Sequence, residues 1–199
     1  MIRNIVFDMG NVLLDYNPRR PLEAFLGIEK DRAIIQRELF EGKEWIAGDY
    51  GYITNQQRFN TVKERVPERL HDALYKCVNR WPDFLEEIYG AKEYVMRKKE
   101  QGFHVYILSN ACSAFYEYFP KFLPLHFFDG IVVSSDIHMV KPEPGIYQYL
   151  LRTYGLKPSE CLFIDDRQEN VEGAVKAGMY GVVFCGDFNE VENYLVEVH

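Results

Sequence analysis

The sequence predicts an α/β protein: a doubly wound parallel sheet with a small helical bundle inserted after the first strand. Three observations predict it. Ile5-Val6-Phe7 is a short apolar run with strong strand preference, followed at once by Asp8 and a turn through Gly10 and Asn11. From about residue 87 onward, strand-like apolar runs alternate with helical stretches, the pattern of parallel strands joined by right-handed crossovers. Between these regions, residues 16–85 show helical periodicity and no convincing buried strand.

Each element has its own local reason. Gly10 and Asn11 tolerate the unusual backbone angles of a tight turn. Residues 32–40 carry Ile34, Ile35, Leu39 and Phe40 at helical spacing. Thr54 and Gln57 have the spacing of a capping box and open a helix through Val62. Pro67 suits a first helical turn, and Leu70, Leu74, Cys77 and Trp81 then recur on one face. Residues 91–100 form a helix stopped by Gly102, and a strand follows at 104–108. A third strand is expected at 130–134, a helix at 143–154 closed by Gly155, and a fourth strand at 161–164. A helix at 168–177 closed by Gly178 leads to a fifth strand at 181–184. The expected units are therefore a core of residues 1–15 and 87–199 and an insert of residues 16–86.

Composition narrows the function. Of 199 residues, 47% are apolar and 27% charged, so the chain can bury one substantial core, and its net charge of −7 disfavours nucleic acid and anionic membranes as partners. Cys77, Cys112, Cys161 and Cys185 are scattered, without the pairing of a zinc site. Reduced thiols, the absence of a signal-like amino terminus and the lack of a long apolar run make the cytoplasm the expected compartment. Arg97-Lys98-Lys99, the densest basic run, is expected to be a solvated helix end.

Chemistry concentrates at strand ends, where open α/β sheets bind ligands. Asp8 directly follows the first strand. Ser109 and Asn110 follow the second, where a hydroxyl and exposed backbone N–H groups can hold phosphoryl oxygens; the same residues equally suit a cap for a helix at 113–119. Asp165 and Asp166 are adjacent carboxylates at the end of the fourth, an arrangement that is costly without a cation because like charges repel at short range. Mg²⁺ wants such hard oxygen ligands.

With Lys141-Pro142-Glu143-Pro144 between them, these motifs appear in the order of the haloacid dehalogenase-like (HAD) hydrolase superfamily, which the chain resembles across 1–15 and 87–199. The resemblance implies a Rossmann-like core, a helical cap and Mg²⁺-dependent phosphomonoester hydrolysis. By that analogy Asp8 attacks phosphorus to form an aspartyl phosphate. Lys141 neutralises nucleophile and phosphate, and Ser109 and Asn110 bind substrate. Asp8, Asp166 and the Gly10 carbonyl hold the ion, with Asp165 and Asn170 acting through water or as support.

The chain departs from that pattern at Gly10, where the family's usual phosphatases carry a second Asp as general acid and base. The Asp-x-Gly-Asn-Val variant resembles a bacterial branch of sugar-1-phosphate phosphatases, related to the phosphatase domain of soluble epoxide hydrolases. A small phosphorylated metabolite, such as a sugar 1-phosphate, is the expected substrate, with leaving groups that depart readily as anions favoured. Asp15 is a candidate replacement acid, although a turn role suits it better. Trp45, Asp49 and Tyr50 are candidates for touching substrate. The rival readings are a metal-independent 2-haloacid dehalogenase, which has no obvious use for the Asp165-Asp166 pair, and a weakened scaffold acting by binding.

Overall fold

The computed structural model describes residues 1–198. The chain starts with β1 (Asn4–Phe7) and β2 (Leu14–Asp15), then runs through α1 (Arg19–Phe25), α2 (Glu29–Ile35), α3 (Lys43–Asp49), α4 (Asn55–Val62) and α5 (His71–Arg80). It returns by β3 (Glu86–Glu87) to α6 (Ala91–Glu100), β4 (His104–Ser109), α7 (Phe115–Tyr118), β5 (Gly130–Val133) and α8 (Ser134–Ile137). The last elements are α9 (Pro144–Thr153), β6 (Cys161–Asp165), α10 (Gln168–Lys176), β7 (Tyr180–Val183) and α11 (Phe188–Val198). Thr54 and Gln57 form the expected capping box at the start of α4.

Five strands pair in the order β5-β4-β1-β6-β7, every pairing parallel. After β1 the chain builds outward on one side through β4 and β5, then crosses back to build β6 and β7 on the other. This reversal opens a crevice at the carboxyl ends of β1, β4 and β6. Alternation along each strand sends neighbours to opposite faces. Ile5, Phe7, Val105, Ile107, Leu162 and Ile164 join one apolar cluster, whereas Val6, Tyr106, Leu108, Cys161 and Phe163 join the other. Helix α9 covers the second face with Ile146, Tyr147 and Leu150. The first face runs continuously into the inserted helices through Leu22, Leu39, Leu74 and Trp81.

The insert is reached by a short ribbon that the sequence did not reveal: β2 pairs antiparallel with β3, Leu14 opposite Glu87 and Asp15 opposite Glu86. Two residues per strand are too few to show a period. Arg20 closes the ribbon, 2.5 Å from Asp15 and 3.0 Å from Glu86.

Helix α11 lies beyond the last element expected from the sequence, and it overturns the expectation of a fully solvated basic helix end. Phe188, Val191 and Leu195 bury one face, and Phe188 stacks on Tyr94 of α6 at 4.5 Å. Lys98 is thereby wholly buried, ion-paired with Glu192 and lying over the rings of Tyr94 and Phe103. Arg97 stays exposed. A helix face invisible from α6 alone decides which cation is covered. No helix among the described residues is long and apolar enough to cross a membrane.

Candidate active site

The buried runs of β1 and β6 end on carboxylates because the next residues must leave the sheet. Asp8 follows β1 and keeps one ladder bond, its N–H donating to the Ile164 carbonyl at 2.8 Å. Met9 then accepts the N–H groups of Leu13 and Leu14 at 2.9 Å each, folding residues 9–14 into a tight loop. Asn11 takes positive φ there (55°), which Asn tolerates better than most residues.

Lys141 organises the carboxylates. Its ammonium lies 2.8 Å from Asp8 Oδ1 and 2.7 Å from Asp165 Oδ2, and the side chain is 1% exposed. Burial opposes its charge, but Asp165 and Asp8 together hold it protonated, above the ordinary lysine range. The Asn110 side chain clamps the Lys141 backbone, accepting from its N–H at 2.8 Å and donating to its carbonyl at 2.9 Å. Burial pushes the Asp8 carboxyl up to about 7 against the pull of Lys141, with Asp165 and Asp166 adding repulsion.

Asp165 has no exposure and is saturated with donors: Lys141, the Asn170 amide at 3.0 Å and the Arg167 N–H at 2.9 Å. Asp166 is half-buried and accepts from Asn11 Nδ2 at 2.9 Å. Burial raises its pKa, Asn11 opposes the rise, and Asp165 adds to it. Oxygens of Asp8, Asp165 and Asp166 all lie within 4.8 Å of one another. Three hard anionic oxygens so close, two of them on carboxyls whose ionisation is disfavoured, suit a divalent cation. Asp8 Oδ2 accepts no hydrogen bond among the described residues, whereas Asp165 is already engaged by Lys141, Asn170 and Arg167.

Above these groups lies a cavity of about 440 Å³, lined by Asp8, Gly10, Asn110, Lys141 and Asp166 and, from the insert, by Phe40, Trp45, Asp49 and Arg58. Ser109 does not line it. Its hydroxyl is buried at the end of β4, with no hydrogen-bond partner among the described residues. Asp15 lies on the ribbon with Arg20 and is absent from the cavity wall. Tyr50 is also outside, donating to Glu143, while Trp45 and Asp49 face inward. Asn11, expected only to shape a turn, also ties the loop after β1 to the loop after β6 through its side chain. A Gly-Asn pair directly after a strand carboxylate was the available signal.

Gly173 lets α10 approach. A Cβ there would lie 2.8 Å from the Tyr147 hydroxyl and 3.0 Å from the Pro142 carbonyl. That hydroxyl donates to the Asn170 carbonyl at 2.7 Å. Gly173→Ala should therefore destabilise by ~1–3 kcal/mol, as overpacking does, and displace Asn170 from Asp165. Urea denaturation checks this, and an unchanged midpoint would show that Tyr147 gives way freely.

Known proteins resemble this chain in sequence and fold. A family model described as haloacid dehalogenase-like hydrolase matches residues 2–178. A glyceraldehyde 3-phosphate phosphatase of Methanopyrus kandleri is 24% identical over 217 residues, covering 96% of this chain and 88% of its own. A D-ribitol-5-phosphate phosphatase of Bacteroides thetaiotaomicron is 29% identical over 191 residues, covering 86% of each. A HAD family enzyme of the same bacterium, solved with magnesium and inorganic phosphate, superposes with a TM-score of 0.76 at 24% identity, covering 96% of this chain and 99% of that one. At so low an identity the likeness is one of fold.

Proposed function

Because the chain belongs to the haloacid dehalogenase-like hydrolases, we propose that it is an Mg²⁺-dependent phosphomonoesterase acting on a small sugar or polyol phosphate, such as a sugar 1-phosphate. One observation carries this reading. A buried lysine bridges two carboxylates, 2.8 and 2.7 Å away, at the ends of adjacent parallel strands, with a third carboxylate beside them under a cavity. The named relatives are phosphatases of small sugar and polyol phosphates, which supports the substrate class.

In this reading Asp8 attacks phosphorus. A bond forms between its carboxylate oxygen and phosphorus as the ester P–O bond breaks, and water then hydrolyses the aspartyl phosphate. Lys141 keeps Asp8 oriented and offsets the charge of the incoming phosphoryl group. Ser109 lies outside the cavity wall, beside Asn110 on it; its buried, unpartnered hydroxyl calls for an acceptor, and it would meet a phosphoryl oxygen once the Ser109-Asn110 turn admits one. The Asn110 side chain is occupied by Lys141, which leaves its backbone N–H for substrate. Asp8, Asp166 and the Gly10 carbonyl would hold Mg²⁺, with Asp165 supporting them through Lys141 and Asn170. The ion supplies positive charge that lets carboxylates and phosphate share one site. Residues 16–86 act as a cap on the core of 1–15 and 87–199, their Phe40, Trp45 and Arg58 closing the cavity and selecting the leaving group. Four free thiols accord with work in the cytoplasm.

Hydrolysis should cease in EDTA and return with Mg²⁺. Asp166→Ala should raise the Mg²⁺ concentration required more than Asp165→Ala does. The latter should instead cost stability, by removing a partner of Lys141. Metal titrations in the reverse order would exchange the two roles, and turnover that survives EDTA would remove the metal from the mechanism.

A further inference from the structure

We propose that Asp49 is the general acid and base of this hydrolysis, donating a proton to the departing oxygen and accepting one from the attacking water. The proposal rests on the phosphatase reading above and supplies the group that Gly10 lacks.

Four carboxylates line the cavity: Asp8, Glu41, Asp49 and Asp166. Asp8 is held by Lys141 and Asp166 by Asn11, and Glu41 is exposed, accepting from Gln36 at 3.1 Å. Asp15 is spent on Arg20 at the ribbon. The Asp49 carboxylate, half-buried on the cavity wall, alone has no hydrogen-bond donor among the described residues. A carboxyl left without a partner in a substrate-sized cavity is available to a substrate oxygen.

Its position over the core is firmly set. Asp49 ends α3, and its carbonyl accepts from the Ser134 hydroxyl at 2.6 Å. That hydroxyl also takes the Ala111 N–H at 3.0 Å, just past Ser109 and Asn110. The Tyr50 carbonyl lies 2.6 Å from His138 Nδ1, and Tyr50 donates to Glu143. Gly51, at φ 72°, packs so close that a Cβ would come 2.3 Å from the Ser135 carbonyl. Three successive residues of the insert therefore rest on the segment that leads to Lys141.

The surroundings suit proton transfer. Burial raises the Asp49 carboxyl to about 7, with Arg58 of α4 and Lys141 opposing the rise. The other groups facing it, Tyr16, Tyr118 and the Cys112 thiol, are themselves pushed up by burial and stay neutral at that pH. Arg58 is fixed by the Glu44 carbonyl at 3.2 Å and Asn55 at 3.0 Å, in space kept open by Gly48, where a Cβ would fall 1.6 Å from its Nη2. An acid that titrates near the working pH is well placed both to give and to regain a proton.

The steps balance. Asp8 oxygen bonds to phosphorus, the ester P–O bond breaks with its electron pair on the leaving oxygen, and the Asp49 proton neutralises that oxygen as an alcohol. Water then bonds to phosphorus and the acyl-phosphate bond breaks. One water proton stays on phosphate, and the other returns to Asp49. Esters of ordinary alcohols become substrates, so the preference for acidic leaving groups expected from Gly10 alone is relaxed.

The test compares Asp49→Asn with wild type on p-nitrophenyl phosphate and on alkyl and sugar phosphates, with Mg²⁺ and across pH. For the alkyl and sugar esters kcat/KM should fall ~10²–10⁴-fold, while the nitrophenolate burst, which needs no acid, falls less than tenfold. The wild-type decline in kcat/KM above about pH 7 should vanish in the variant. Equal losses on both ester types, or no loss, would overturn the proposal. Wild type alone offers a second measurement should the variant fold poorly: its rate should be nearly independent of leaving-group acidity at pH 6 and steeply dependent at pH 9. A steep dependence at both overturns the assignment. Hydrolysis abolished by Asp8→Asn but indifferent to Asp49 removes only this proposal, whereas a wild type inert to every ester removes the phosphatase reading along with it.

Discussion

Asp8→Asn is expected to lower phosphate-ester turnover on the order of 10⁴-fold or more, the scale of losing a covalent nucleophile, while the fold is kept and becomes more stable near neutral pH. The amide is nearly isosteric and can still accept from Lys141 and Met9, which lie 2.8 and 2.7 Å from Oδ1. The gain in stability follows from the raised carboxyl. Asp8 binds its proton up to about pH 7 when folded and up to about 3.8 when unfolded. Between those values the unfolded chain carries fewer protons than the folded one, so wild-type stability falls as pH rises through that window. The Asn variant lacks this loss. Asp49 titrates in the same direction in both proteins, so their difference isolates Asp8. Urea denaturation in EDTA from pH 4 to 8 should show the curves diverging in the variant's favour. Parallel curves would mean that Asp8 is charged when folded throughout, and turnover within tenfold of wild type would end the covalent mechanism.

Lys141→Met should be the most damaging single change to site and fold together. The ammonium is the buried counter-charge of both Asp8 and Asp165, and Asp165 has no exposure through which water could replace it. Removing one partner of a buried ion pair costs ~3–5 kcal/mol, because the remaining charge is stranded. Loss of a positioned charge at the reacting group costs a further ~10²–10³-fold in kcat. Asp8 can shed part of the penalty by taking a proton, which disables it as a nucleophile. Thermal and urea denaturation measure the first effect, and single-turnover kinetics the second. A variant as stable as wild type would show that Lys141 is not the group holding the carboxylates together.

The proposed reacting groups follow from motifs already visible in the sequence. Asp8, Ser109 and Asp165-Asp166 each follow an apolar run long enough to read as a strand, and parallel strands align their carboxyl ends. Local pattern plus that one rule of parallel sheets brings three distant segments to one edge. Helix spans such as Ala91–Glu100 were equally readable, since period and glycine stops act within a turn or two.

What only the tertiary structure decided depends on surfaces meeting far apart in the chain. Lys98 is buried because α11 lies over α6, and nothing within residues 91–100 says so. Asp15 and Asp49 are both acidic residues outside the strand-end motifs, and composition does not rank them. The ribbon turns Asp15 toward Arg20, five residues along, while Ser134, 85 residues away, anchors the Asp49 backbone at the cavity wall. A carboxylate's chemistry follows from what desolvates and pairs it. For Asp8 part of that is the strand it follows; for Asp49 it is the packing of α3 against α4 and of both on the core.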